Sequence, residues 1–350
     1  MKKEALLYEK KEAKSVRCGL CAHRCSIKNN NFGFCGVRQN IGGTLYTYAY
    51  ARAIAAHVDP VEKKPLYHFF PGHLSFSLAA AGCNFRCGFC QNWEISQVSL
   101  AKQGQSPQGT VPVSPGEDLA PQEIVRLALE NNCKSISYTY TEPTIFLEYA
   151  LETARLAKEK GLYNIFVTNG YMTKEALLLI KPYLDAANID LKFFKDGSYR
   201  KVCAASLAPV LDSIRLMHEL GIWVEITTLL VPGENDSEDE LRDIAGFISG
   251  VDRGIPWHIS RFHPAYKFRD KGPTPEAALK KAQGLGNEAG LEYIYIGNVS
   301  FSGSDTHCYN CKRLLIKREG FSVLGNNIKT GRCAFCDTAI PGIFDTFDGV

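Results

Sequence analysis

No stretch of this 350-residue sequence approaches the run of about twenty apolar residues that spans a bilayer. The opening residues, M-K-K-E-A-L-L-Y-E-K-K-E, are charged throughout and lack the apolar core of a secretory signal. An excess of either charge is missing too. Forty Lys and Arg face 37 Asp and Glu, a net charge of +3, so nothing marks a nucleic-acid surface or a polyacidic partner. The expectation is a soluble, cytoplasmic chain with neither nucleic acid nor membrane among its partners.

Cysteine is what the chain has in quantity. Eleven of its 13 cysteines fall into three tight groups, while Cys133 and Cys203 stand alone. Without an export signal, grouped cysteines read as metal ligands rather than disulfides, and the two singles as buried, inert thiols. The length exceeds the usual single-domain size unless a barrel takes most of it.

The middle group lies in A-A-A-G-C-N-F-R-C-G-F-C-Q, with Cys83, Cys87 and Cys90 spaced C-x3-C-x2-C. It follows the apolar run Leu74 to Ala81 directly, which places the three thiols on a loop leaving a buried strand. A tetrahedral zinc wants four protein ligands, and no fourth cysteine lies close in sequence. Three thiolates on a four-iron cluster leave one iron open to a reactant. A zinc knuckle or a chance group of buried cysteines is the plainer reading.

The other two groups are complete sets of four. Cys18, Cys21, Cys25 and Cys35 are spaced C-x2-C-x3-C-x9-C, and read as a small structural site with zinc preferred and an auxiliary iron-sulfur cluster as the alternative. Near the other end, Cys308 and Cys311 form one C-x2-C knuckle and Cys333 and Cys336 a second, with the strand-like F-S-V-L between them. This is the pattern of a zinc ribbon or rubredoxin-like site. Zinc is again preferred, with a single iron or an auxiliary cluster as alternatives, and neither knuckle has the Cys-Pro step common in rubredoxins.

Between these groups, apolar runs alternate with segments of helical periodicity. Strands are expected at 75–81, 135–140, 163–168, 187–193, 223–231, 257–262 and 293–296. Helices are expected at 122–131, 145–160, 174–184, 208–220, 238–248 and 275–289. Residues 44–51 alternate as a further strand, and a proline-rich stretch before residue 121 is either a cover over a site or a plain connection. Repeated strand-helix units imply a parallel sheet, and active residues then gather at the C-terminal strand ends. The domains expected are a cysteine-rich metal-binding segment at 1–62, an α/β barrel at 63–298 and a two-knuckle metal-binding module at 299–350.

The C-x3-C-x-F-C motif, with Phe89 in the aromatic place, resembles that of the radical S-adenosylmethionine (SAM) superfamily. That resemblance implies a partial (β/α)6 barrel, a 4Fe-4S cluster on Cys83, Cys87 and Cys90, and SAM on the open iron. Its chemistry is reductive cleavage of SAM to a 5′-deoxyadenosyl radical that abstracts hydrogen from a substrate, here a small molecule or a protein. A one-electron donor such as flavodoxin or ferredoxin is implied as partner. Pyruvate formate-lyase activases extend the resemblance to the strand ends. Glu142 and Pro143 match the end of their G-G-E-P loop, which contacts the SAM amino group, but Tyr140 and Thr141 replace its glycines. T-N-G at Thr168 to Gly170 makes Asn169 a contact for the SAM carboxylate or ribose, or simply part of an Asn-Gly turn.

D-L-K brings Lys192 to the SAM carboxylate, with Asp190 as its partner or a cation ligand; the plain alternative is a structural salt bridge. His263, in F-H-P, matches a histidine beside SAM, and His258 and Arg261 are substrate candidates. The glycine-rich adenine motif of some radical SAM enzymes is absent. The overall layout resembles the AmmeMemoRadiSam-system radical SAM enzymes. A glycyl-radical-enzyme activase is the alternative activity, and a zinc-binding scaffold or an electron-transfer protein is the alternative class.

Overall fold

The computed structural model describes residues 2–100, 114–299 and 303–344. At its centre lies an eight-stranded sheet of β1 (Ala55–Pro60), β2 (Leu74–Ala79), β3 (Ser135–Tyr138), β4 (Tyr163–Thr168), β5 (Ala186–Asp190), β6 (Trp223–Leu230), β7 (Trp257–Arg261) and β8 (Ile294–Gly297). Order in space is order in sequence. Neighbours from β2 to β8 are parallel, and β1 runs antiparallel along the whole of β2. Helices α1 (Pro121–Glu130), α2 (Leu147–Glu159), α3 (Lys174–Ile180), α4 (Ala208–Glu219), α5 (Glu238–Val251) and α6 (Glu276–Glu288) connect successive strands from β2 onward. No pairing joins β1 to β8 among the described residues, so the sheet is a partial barrel open on one side.

Local chemistry explains these elements. Strands β3 and β5 are buried almost throughout, as parallel strands covered on both faces require. Each helix turns an apolar stripe inward; in α1, Ile124, Val125 and Ala128 are buried while Arg126 pairs outside with Glu123 and Glu130. The Thr173 side chain accepts from Ala176 N at 3.2 Å to start α3, and Ser237 accepts from Glu240 N at 3.4 Å to start α5. Proline occupies the first turn of α1 and α4.

Several expectations change. The alternating segment 44–51 is a strand only over Thr44–Thr47, pairing with Lys3–Glu4 and Arg38–Ile41. Ala55–Pro60, read with the N-terminal segment, is instead the edge strand of the main sheet. Its sequence A-A-H-V-D-P has no clean alternation, and its partner β2 supplies the burial pattern. Strand β5 stops at Asp190, leaving Lys192 on the loop beyond. The proline-rich stretch expected before residue 121 falls largely at 101–113, outside the described residues. No helix among the described residues is long and apolar enough to cross a membrane.

The two outer cysteine modules occupy different ends of the barrel. The N-terminal one packs beside the C-terminal strand ends: Cys21 bridges to Met172, the Thr173 hydroxyl donates to Gly19 O at 2.7 Å, and the buried Arg38 pairs with Glu148 of α2. The C-terminal one lies below and beside the sheet. Phe69 bridges to Ile343, and the Arg318 guanidinium donates to Tyr67 O at 2.8 Å.

Candidate functional site

Above the strand ends lies a cavity of about 410 Å³. The sequence-predicted residues Cys83, Cys87, Cys90, Phe89, Glu142, Asn169, Asp190 and Lys192 all line it. The cysteine loop leaves β2 through Gly82, whose φ of +99° is open chiefly to glycine. A Cβ there would meet Val37 at 2.9 Å and Cys35 O at 3.0 Å, so the N-terminal module presses directly on the loop.

The charged groups are held rather than free. Glu142 is buried, and its Oε1 accepts from Thr144 N at 3.1 Å and from the hydroxyls of Thr144 and Thr168 at 2.5 and 2.7 Å. Among the described residues its Oε2 accepts only Asn169 N, at 2.8 Å, which leaves room for one more donor. Burial pushes this carboxyl up against those hydrogen bonds. Asn169 Nδ2 donates to Asn84 Oδ1 at 2.8 Å and its Oδ1 accepts Tyr171 N at 3.0 Å, while Gly170 takes φ +69°. The Asn-Gly turn is therefore real, and its side chain braces the cysteine loop. Lys192 Nζ sits 2.8 Å from Asp190 Oδ2. Burial opposes its charge, but Asp190 and the thiols of Cys87 and Cys203 hold the ammonium protonated well above the usual lysine range.

Three sequence-based candidates, His263, Arg261 and His258, lie outside that lining. His263 is exposed, outside the lining, with Nε2 3.5 Å from Asn298 O; Asn298 itself does line the cavity. The reason is that β7 ends at Arg261 and Phe262 N is tied to Thr274 Oγ1 at 2.8 Å, turning the next residues outward. Arg261 spends its Nε on Thr274 O, and buried His258 bonds Glu225 at 2.6 Å. Cys203, expected to be an isolated thiol, lies 3.5 Å from the Cys87 sulfur.

In the C-terminal module the four sulfurs of Cys308, Cys311, Cys333 and Cys336 lie within 4.8 Å of one another. Cys308–Cys336 and Cys311–Cys333 are both 3.7 Å apart, close to the edge of a tetrahedron drawn around one ion at about 2.3 Å. This set can hold a metal ion.

The Radical SAM superfamily profile matches residues 78–245. A Methanocaldococcus jannaschii protein named "Putative glycyl-radical enzyme activating enzyme" is 30% identical over 242 residues, 66% of this chain and 83% of its own. The chain belongs to the radical SAM superfamily. An uncharacterized protein of the same organism is 45% identical over 342 residues, covering 97% of this chain and 98% of its own. The pyruvate formate-lyase-activating enzyme of Clostridium pasteurianum is 21% identical over 219 residues, 58% of this chain and 85% of its own. This radical SAM protein is of the pyruvate formate-lyase-activase-like type.

The cavity fits the group that the superfamily uses. Three thiols line it from one loop, the Asn84 Nδ2 of that loop is buried with no hydrogen-bond partner among the described residues, and the Lys192 ammonium offsets negative charge. Sequence reasoning missed the floor opposite them. Lys63 and Lys64 line the cavity and bond Asp59 at 2.7 Å each, Ser77 Oγ donates to Asp59 at 2.7 Å, and the Tyr140 hydroxyl donates to the same carboxylate. Only the acid-basic run D-P-V-E-K-K hinted at this cluster. Tyr140 has φ +61°, where a non-glycine residue costs about 1 kcal/mol, which accounts for glycine at that place in the G-G-E-P loop. Asn92 Nδ2, two residues beyond Cys90, donates to Tyr140 O at 2.9 Å and ties the cysteine loop to the end of β3.

Although burial pushes it up, the hydrogen bonds from Lys63, Lys64, Tyr140 and Ser77 hold Asp59 below the usual carboxylate range. Burial pushes Lys64 down to about 8 against its bond to Asp59. Asp59→Asn strands that ammonium, and is expected to cost about 3 kcal/mol at neutral pH. A lowered carboxylate contributes its stability above the unfolded pKa and loses it as pH falls through the acid range. The gap between variant and native chain should therefore narrow below about pH 4. Urea midpoints at pH 7 and pH 3 check this, and an equal gap at both would refute it.

Proposed function

We propose that the chain binds SAM between a 4Fe-4S cluster on Cys83, Cys87 and Cys90 and the strand-end residues Glu142, Asn169, Asp190 and Lys192. When bound, cluster and cofactor supply a 5′-deoxyadenosyl radical that takes hydrogen from a substrate. The observation that carries this reading is the convergence of those seven residues on one cavity. Glu142 offers its one open Oε2 position to an ammonium, and Lys192 offers charge to a carboxylate while Asp190 keeps it oriented. Asn169 positions the loop through Asn84, and Phe89 is a wall, buried between Phe193 and Phe268.

The substrate proposed is a small molecule. A second cavity of about 720 Å³ fills the open side of the barrel, lined by Glu62, Tyr67, His258 and Arg318, and shares Ser260 and Asn298 with the first. The C-terminal module forms its outer wall, which supports a structural role for that module, with zinc on its four thiols. A protein substrate is the second reading, favoured by the relative named for glycyl-radical enzyme activation. A flavodoxin- or ferredoxin-type donor supplies the electron in either case.

Reconstitution with iron, sulfide, SAM and dithionite under anaerobic conditions is the test. Formation of 5′-deoxyadenosine and methionine above the protein-free rate is expected, and its absence sinks the reading. Deuterated candidate substrates that label the deoxyadenosine would separate small molecule from protein.

A further inference from the structure

The cavity of about 720 Å³ on the open side of the barrel has a polar end and an apolar end. At the polar end Glu62, Arg318, Tyr67 and His258 stand in a row. Arg318 Nε is 3.6 Å from Glu62 Oε1, the Arg318 guanidinium lies 4.3 Å from the centre of the Tyr67 ring, and that ring meets His258 edge-on at 4.7 Å. All four residues are buried. At the other end Phe321 and Leu324, 46% and 59% exposed, belong to the wall that the C-terminal module supplies.

Two acceptors at the polar end lack a hydrogen-bond partner among the described residues. Glu62 Oε1 accepts Gly72 N at 2.9 Å, but the buried Oε2 accepts nothing. Burial pushes this carboxyl up, and Arg318 and the Gly72 N–H offset that only in part. His258 places Nε2 2.6 Å from Glu225, which also takes the N–H groups of Tyr67, His68 and the Trp223 ring. Nε2 therefore carries the proton, and in the neutral ring the acceptor lone pair is on Nδ1. An acceptor left unmet at such a depth costs about 1–3 kcal/mol until a ligand or water meets it.

Charge has the same sense. Glu62 and Glu225 are both buried carboxylates, and Arg318 sets one positive charge against the two. His68, pushed down to about 4 by burial, stays neutral, and Lys317 is paired with Asp305 at 2.8 Å. Nor are the Arg318 donors free for an anion. NH1 donates to Ser304 O at 2.9 Å and Thr306 Oγ1 at 2.8 Å, and NH2 to Tyr67 O at 2.8 Å. What the polar end lacks is one cation that also donates hydrogen bonds.

We propose that this cavity takes an organic cation, a primary amine or amidine on an apolar body, with its N–H head at the Glu62 and His258 end. The body then runs past Ser260 and Asn298, which both cavities share, toward Phe321 and Leu324. That this cation is the substrate rests on the proposed SAM chemistry, whereas the cation site stands on the residues of the cavity itself.

The test titrates the full reconstituted chain at neutral pH with hexylamine, hexanol and hexanoate, three probes of one shape and different charge, by calorimetry. Hexylamine should bind at least about tenfold more tightly than either of the others, and Glu62→Gln should erase that ratio. Phe321→Ser, at the exposed rim, leaves the polar end untouched and should weaken hexylamine and hexanol alike while the ratio between them stays. Equal binding of the three, tighter binding of hexanoate, no binding of any, a ratio unmoved by Glu62→Gln or affinities unmoved by Phe321→Ser overturns the inference. Hexylamine binding without SAM cleavage would sink the proposed function alone. SAM cleavage by a chain with no preference for hexylamine would sink this inference alone.

Discussion

Cys87→Ala is expected to lower 5′-deoxyadenosine formation by at least about three orders of magnitude while the chain stays folded. Loss of groups that merely support a metal ligand typically costs about 10- to 100-fold, and a ligand in a set of only three has no substitute. The neighbour at 3.5 Å supplies the control, because the Cys203 sulfur lies beside the proposed ligand set without belonging to it. Cys203→Ala should therefore keep nearly full activity. If Cys203→Ala were as damaging as Cys87→Ala, the ligand set would include a fourth residue and the open position argued above would be lost. Folding should survive the Cys87 change, since the loop is also braced by Arg86 NH1 to Cys83 O at 2.8 Å and by Arg86 N to Cys203 O at 2.8 Å. Loss of cluster absorbance and deoxyadenosine yield are the two measurements.

The second large effect is on stability. Glu225 on β6 is fully buried and accepts Tyr67 N at 2.9 Å, His68 N at 2.8 Å, Trp223 Nε1 at 3.0 Å and His258 Nε2 at 2.6 Å. One carboxylate thus closes the lower end of the barrel by holding the 65–70 segment beneath it. Burial alone would raise it, but the hydrogen bond and charge of His258, with His68 and Tyr67 N, hold it below the ordinary glutamate value. Glu225→Gln replaces one acceptor oxygen with a donor that faces other donors. The expected loss is about 4 kcal/mol, the range for breaking a buried, hydrogen-bonded charge. Urea unfolding at neutral pH measures it, and a change below about 1 kcal/mol would show that Glu225 does not carry the closure. Because the carboxylate is lowered, its contribution is present above the usual glutamate pKa and fades as the medium is acidified.

Both cases show where reading along the chain succeeds and stops. Cys83, Cys87 and Cys90 are legible because a short loop must supply all three thiols, and the spacing of residues in a loop is the spacing of their side chains. The strand-end residues Glu142, Asn169 and Lys192 are legible through the periodicity of the strand-helix units, which fixes the end of the sheet each occupies. Glu225 gave no such signal. A glutamate within W-V-E-I-T-T-L-L looks like a solvated face until residues about 158 positions earlier arrive to donate to it. His263 failed for a related reason, since a strand that ends at Arg261, one residue short of the expected 257–262, turns the next side chains out of the cavity.

The sequence by itself determined the composition of each cysteine group, the alternation that builds a parallel sheet, and the end of that sheet where the cysteine loop lies. These depend on near neighbours and on periods of two and 3.6 residues, which local order preserves. Only the tertiary structure decided that Cys308, Cys311, Cys333 and Cys336 stand close enough for a single ion. It alone brought Asp59 and Lys64 under the cavity, set Cys203 against Cys87, and placed the N-terminal quartet against Gly82. Those are distances between segments remote in sequence, and packing of the whole chain sets them.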